Sequence, residues 1–187
     1  MEWPEKMKFV KTKLPEVIVV EAEVWPDKRG HFFEAFHAQK FQGSGIPTNF
    51  VQDNFSRSVK GTLRGMHTQV KHPQGKLIRA IQGQIFDVAV DVRKSSPRFG
   101  QWVGAILSGD NLKALYIPPG FLHGFCVLSD SADVEYKCTD FYDPADEIGI
   151  RWDDPQLKIQ WPISDPLLSP KDQNNRTLLE VKNKLPD

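Results

Sequence analysis

Between Phe50 and Leu77 the chain gathers groups that can jointly hold a polar anion and move protons. Gln52, Asn54, Gln69 and Gln74 offer amides, Asp53 a carboxylate, and Ser56 and Ser58 hydroxyls. Arg64 adds a guanidinium, His67 an imidazole and Lys76 an ammonium. An imidazole exchanges protons near neutral pH, and cationic donors stabilise charge that develops on a bound molecule. Singly, each has an ordinary explanation. A lone His in a strand is usually a satisfied structural residue, and a lone Arg or Lys is usually solvated.

Strands must position these groups. Val17 to Val20 is a β-branched run, and Pro26 to Gly30 has the composition of a turn. An extended Phe32 to Phe36 would put Phe32, Glu34 and Phe36 on one face. Phe36 to Gly45 suits a short helix. Val51–Ser56 and Thr62–Gln69 read as strands with Gly61 at the turn between them. Arg64 and His67 are three apart, so a regular strand would point them to opposite faces. They can share a site only if the strand is distorted, and Gly65 permits a bulge there. Gln82-Gly83 reads as a hairpin between the strands that start at Lys76 and Gln84. In the second of these, Phe86, Val88, Val90 and Val92 should face the core. Asp87 and Asp91 share the other face, roughly 13 Å apart along an extended chain, which favours solvated or structural roles over an acid–base pair. Gln101–Leu107, Ala114–Ile117, Phe121–Leu128 and Ala132–Thr139 complete the series. In the last, Val134, Tyr136 and Cys138 should face inward, where a buried phenol needs a partner. Beyond Phe141 proline-rich turns suggest a segment wrapped around the body, with one or two short helices from Ser169 and a frayed end at 183–187.

About ten short strands with Gly/Pro turns point to an all-β sandwich or barrel, and a jelly roll fits the count. The 187 residues, 40% of them hydrophobic, suit one domain with a sizeable core. Twenty-four basic residues balance 24 acidic ones, which argues against non-specific nucleic-acid binding. The N-terminal stretch Met1 to Lys13 has no apolar run suited to a signal peptide, and no stretch is long enough to span a membrane. Cys126 and Cys138 lack metal-ligand spacing and read as inert thiols, although they could face each other on neighbouring strands. The expectation is a cytoplasmic protein.

Pro118-Pro119-Gly120-Phe121-Leu122-His123-Gly124 resembles the second signature of the cupin jelly rolls. The first signature usually carries His-x-His. Here His67-Thr68-Gln69 stands in its place, a thin ligand set, so no metal is expected. From about Lys11 to Asp172 the chain resembles the dTDP-4-dehydrorhamnose 3,5-epimerase family. The motifs are Asp27-Lys28-Arg29-Gly30 with Glu34, Val51 to Ser56, Leu63 to Gln69, Gln74 to Leu77, Phe86 to Arg93, Tyr116 to Gly120, Tyr136-Lys137, Trp152 to Pro155 and Leu168 to Asp172. Their order and spacing together are specific. Met66, Thr68 and Phe141 depart from the residues usual in that family.

The resemblance implies an all-β, cupin-type double-stranded β-helix with short C-terminal helices, acting as a cofactor-free isomerase on a nucleotide sugar. It implies His67 as general base, Asp172 as its partner and Tyr136 as the opposing acid. Lys76 and His123 would contact the sugar near its keto oxygen. Gln52, Asn54 and Arg64 would bind the nucleotide, with Tyr142 stacked on its base, and Asp53 would be a further substrate-binding residue. Glu147 and Lys171 fall at further substrate contacts. Arg29 and Glu34 would come from the neighbouring subunit of a homodimer. Epimerisation at one carbon only, ketoisomerisation and a metal-dependent cupin oxygenase are the rival activities.

Overall fold

Alternating apolar and polar residues build most of the chain into antiparallel ladders. A computed structural model describes residues 6–187; the Met1–Glu5 part of the N-terminal stretch lies outside the described residues. Among these the chain forms thirteen strands. The first five are β1 (Lys8–Lys11), β2 (Ile18–Glu21), β3 (Val24–Asp27), β4 (Gly30–Phe33) and β5 (Gln52–Val59). Then come β6 (Leu63–Gln69), β7 (Lys76–Gln82), β8 (Gln84–Asp91) and β9 (Trp102–Ser108). The last are β10 (Lys113–Ile117), β11 (Phe121–Val127), β12 (Ser131–Cys138) and β13 (Glu147–Gly149).

Two sheets face each other. One has the order β1-β2-β10-β7-β12-β5, the other β13-β6-β11-β8-β9. This is the expected all-β jelly roll. Between the sheets lie Ile78, Ala80 and Val134 from the first, and Ile85, Ala89, Phe121, Phe125 and Val127 from the second. Each Ile, Val or Phe among them, fully buried, contributes about 1.5–3 kcal/mol, which is what clamps the sheets together.

Several local expectations are corrected. Gln82-Gly83 is not a hairpin, because β7 and β8 belong to different sheets. The chain turns a corner there, with Gly83 at φ +75° and no room for a Cβ, which would lie 2.1 Å from the Ser131 carbonyl oxygen. Pro26, Asp27 and Gly30 belong to the ladder between β3 and β4, leaving Lys28 and Arg29 as the turn. The strand there ends at Phe33, and the helix expected over 36–45 shrinks to α1 (Ala38–Phe41). Cys126 and Cys138 are both buried and free, on strands of different sheets. Burial pushes both thiols up, Cys126 to about 11.

The Phe86, Val88, Val90 and Val92 face is apolar for a different reason than expected. It packs away from the sheet–sheet core, against Ile150, Leu157, Leu178, Val181 and Leu185 of the C-terminal segment. Two short helices sit in that segment. Ser169 caps α2 (Pro170–Gln173) by accepting the Asp172 N–H, and Thr177 with Glu180 forms a capping box on α3 (Leu178–Val181). The tail is docked, not frayed. Leu185 is buried, and the Lys94 N–H donates to the Pro186 carbonyl at 2.9 Å. No helix among the described residues is long and apolar enough to cross a membrane.

Candidate active site

Between the sheets, where polar side chains replace apolar ones, a cavity of about 760 Å³ opens. That suits a ligand of nucleotide-sugar size. The inner face of β5 contributes Gln52, Asn54, Ser56 and Ser58 by strict alternation, and Lys76 and Tyr136 come from β7 and β12 of the same sheet. The five-stranded sheet opposite supplies Arg64 and His67 from β6 and His123 from β11. Lys171 and Asp172 arrive on α2, and Tyr142 and Glu147 stand at the rim.

The bulge that Arg64 and His67 required is present. His67 pairs with His123 and Arg64 with Phe125, with a register shift between them. Gly65 takes φ +118° at this point, and a Cβ on it would lie 2.6 Å from Gly124 Cα. A close backbone approach therefore demands glycine. It turns both side chains into one cavity.

His67 Nε2 lies 2.6 Å from Asp172 Oδ1, and its Nδ1 is 3.7 Å from Glu147 Oε1. Burial opposes the charge on Asp172. The His67 contact, the Ser169 side chain and the Gly65 backbone outweigh it and hold the carboxyl below its ordinary range. An ionised Asp172 accepts from Nε2–H, which leaves Nδ1 as the basic nitrogen. On the facing wall, burial raises the Tyr136 phenol, so it keeps its proton at neutral pH. Lys76 is half-buried in the cavity wall, and desolvation lowers its ammonium despite Cys138 and Asp87 nearby. A second imidazole–carboxylate pair lies deeper, with His123 Nε2 3.0 Å from Asp87 Oδ2 and Asp87 fully buried.

Of the roles expected for Asp87 and Asp91 the structural one holds, but Asp87 does not face solvent. It faces inward and carries His123, whereas Asp91 is buried in an ion network with Arg93 and Ser96. The missed signal is that Asp87 stands between Ile85 and Ala89 on its own face while Phe86, Val88 and Val90 fill the other, so no solvated side is left for it. Gln69 and Gln74 also line the cavity and hold loop carbonyls of His72, Phe141 and Asp140.

One expected binding residue, Asp53, is elsewhere. Asp53 lies on the outer face of β5, where the Lys137 ammonium donates to it at 2.9 and 3.0 Å. Arg29 is exposed and paired with Asp27 at the tip of the β3–β4 hairpin. Glu34 is paired with Lys40. Neither Arg29 nor Glu34 reaches this chain's own cavity. At the rim, Tyr142 Oη lies 3.5 Å from both Glu147 Oε2 and Lys171 Nζ, and Glu147 pairs with Lys171. Among the described residues no three His, Cys, Asp or Glu side chains group as metal ligands.

A double-sheet barrel with its polar cavity inside places the chain in the cupin-type jelly-roll class. Comparison with known proteins is more specific. The family model described as dTDP-4-dehydrorhamnose 3,5-epimerase matches residues 11–180. A Pseudomonas aeruginosa dTDP-4-dehydrorhamnose 3,5-epimerase is 51% identical over 94% of this chain and 98% of its own. A Streptomyces niveus dTDP-4-dehydrorhamnose 3-epimerase is 41% identical over 83% of this chain and 76% of its own. A crystal structure of a Legionella pneumophila dTDP-6-deoxy-D-glucose-3,5-epimerase in complex with dTDP-4-keto-L-rhamnose superposes with a TM-score of 0.94. It is 49% identical and covers 97% of this chain and 98% of its own. The chain belongs to the dTDP-4-dehydrorhamnose 3,5-epimerase family, a family of isomerases.

Proposed function

We propose that this protein inverts C3 and C5 of dTDP-4-dehydro-6-deoxy-D-glucose, giving dTDP-4-dehydro-L-rhamnose. The observation that carries the reading is the placement of a carboxylate-backed imidazole and a protonated phenol on opposite walls of one cavity. The C4 ketone acidifies the hydrogens on its two neighbouring carbons. His67 Nδ1 takes the proton from one face, and the electron pair moves into an enolate on O4. Lys76 and His123 stabilise that oxyanion. Tyr136 returns a proton to the opposite face, which inverts the carbon; the proton held by His67 then passes to solvent and the Tyr136 phenolate takes one up from solvent, which resets the pair. A second passage treats the other carbon. The ketone itself supplies the electron sink, so the proton transfers need no redox cofactor.

On this reading Arg64 and Asn54, which both line the cavity, hold the nucleotide, and Tyr142 stacks on its base. The same reading makes the protein a cytoplasmic homodimer. Among the described residues the β3–β4 hairpin pairs with no other strand; it carries Arg29 and a Phe32 that is 65% exposed, and Glu34 follows it directly. A second copy would receive these residues at its cavity mouth.

Incubation with dTDP-4-dehydro-6-deoxy-D-glucose in heavy water tests the reading by proton NMR and mass spectrometry. Deuterium at both C3 and C5 with the L-configured product is expected. Deuterium at C3 alone makes the protein a mono-epimerase, and no exchange overturns the substrate.

A further inference from the structure

Tyr142 lies in an irregular stretch, residues 139–146, between β12 and β13. No ladder holds its backbone, yet three consecutive residues there are fixed by two glutamine side chains. The Gln69 amide N–H₂ donates to the Phe141 carbonyl at 3.2 Å, and its Oε1 accepts the Asp143 N–H at 2.9 Å. One side chain thus brackets Tyr142 on both sides. The same N–H₂ donates to the His72 carbonyl at 2.7 Å, tying the bracket to the adjacent loop. Gln52 Oε1 accepts the N–H of Tyr142 itself at 3.0 Å, and the Gln52 N–H₂ donates to Asn54 Oδ1 at 3.0 Å.

The surroundings of Gln69 call for two donors and one acceptor in a single plane, which an amide has and a carboxylate lacks. Loop anchoring alone does not explain this. Asp146 already ties the two loops by accepting the Lys71 and His72 N–H groups, and Gln74 holds the Asp140 carbonyl. The two glutamines converge instead on the one residue of the stretch whose ring lines the cavity.

We infer that Gln69 is a positioning residue for nucleobase recognition. With Gln52 it pre-sets the Tyr142 backbone, so that the half-exposed ring meets a flat base without first being ordered. The inference rests on the nucleotide-sugar reading of the cavity. A ring already held in place gives its stacking energy to the ligand, because binding does not have to immobilise it. The cost of losing the clamp should therefore appear in nucleotide affinity and not in the proton transfers.

Calorimetric binding of dTDP to the full chain, with steady-state kinetics, tests this in a double-mutant cycle of Gln69→Met and Tyr142→Ala. Each single change is expected to weaken dTDP about tenfold, the order of one base stack. The double variant should bind no worse than Tyr142→Ala. For Gln69→Met, KM should rise about tenfold with kcat held. If Gln69→Met does not fold, Gln69→Glu keeps the shape and the acceptor, and enters the same cycle. Additive losses, or a Gln69 variant that binds dTDP like the wild type, overturn the inference. Undiminished dTDP binding by Tyr142→Ala overturns the stacking role and the inference with it. Wild-type protein that binds no dTDP overturns the nucleotide reading itself.

Discussion

Replacing Asp172 by asparagine should damage catalysis more than replacing it by alanine. Asp172 Oδ1 lies 2.6 Å from His67 Nε2, and the carboxylate also engages the Ser169 side chain and the Gly65 backbone. A charge-assisted hydrogen bond of this kind is worth about 1.5–3 kcal/mol. Losing it as the imidazolium forms costs about 10- to 150-fold in kcat, at about 1.36 kcal/mol per decade. Asp172→Ala should lose that much. Asparagine does something further. With its oxygen kept on the Gly65 N–H, its amine points at Nε2, so the proton of the neutral imidazole moves to Nδ1. The basic nitrogen is then occupied, and the loss should reach on the order of 10³–10⁴. The rate of deuterium incorporation at C3 and C5 reads this directly. An asparagine variant within tenfold of the wild type, or an alanine variant as slow as the asparagine one, refutes the tautomer argument. The acid limb gives a second check. The folded-state pKa of Asp172 is lowered, so the stability it contributes is present above about pH 4, the ordinary aspartate value. It is lost as pH falls through the lowered pKa. Asp172→Asn should lack that part of the acid-unfolding slope.

Tyr136→Phe removes the proton donor of one wall and leaves the base on the other. Turnover should fall about 10²- to 10⁴-fold, while recovered substrate still gains deuterium without inversion; loss of both exchange and inversion would contradict separate acid and base roles. Lys76→Met should separate stability from activity. The lowered pKa of Lys76 means that its charge is a cost, largest below the folded-state pKa and relieved as pH rises towards the unfolded value near 10.4. At neutral pH the methionine variant should melt a few degrees higher, at about 2–4 °C per kcal/mol for a chain of this size, with kcat down by about 10²–10³. An unchanged kcat would remove Lys76 from the oxyanion.

Alternation reveals which side chains share a face, and this is why Val134 with Tyr136 was legible from sequence. It does not reveal what the face looks at. The row from Phe86 to Val92 reads as core, yet its partner is the C-terminal segment, which has no periodicity of its own to announce the contact. The burial of Asp87 was missed for the same reason. Asp53 shows the converse, since its motif suggested the site while its parity in β5 already sent it outward. The corner at Gly83 was invisible because a hairpin and a change of sheet use the same turn residues. The glutamine clamp was also beyond reach, since its bonds run from β5 and β6 to a stretch without regular structure.

The proposed base, His67, and the Asp172 carboxylate that contacts it are 105 residues apart in the chain. Asp172 rides on a capped turn whose own footing, through Leu178, Val181 and Leu185, is the outer face of the five-stranded sheet. On the ribosome, therefore, the barrel strands emerge well before the residue that makes His67 a base. A nascent chain can close its cavity and still be chemically silent. On the proposed mechanism, proton abstraction waits until the segment that carries Asp172 has been made and docked, well after the strand that carries His67.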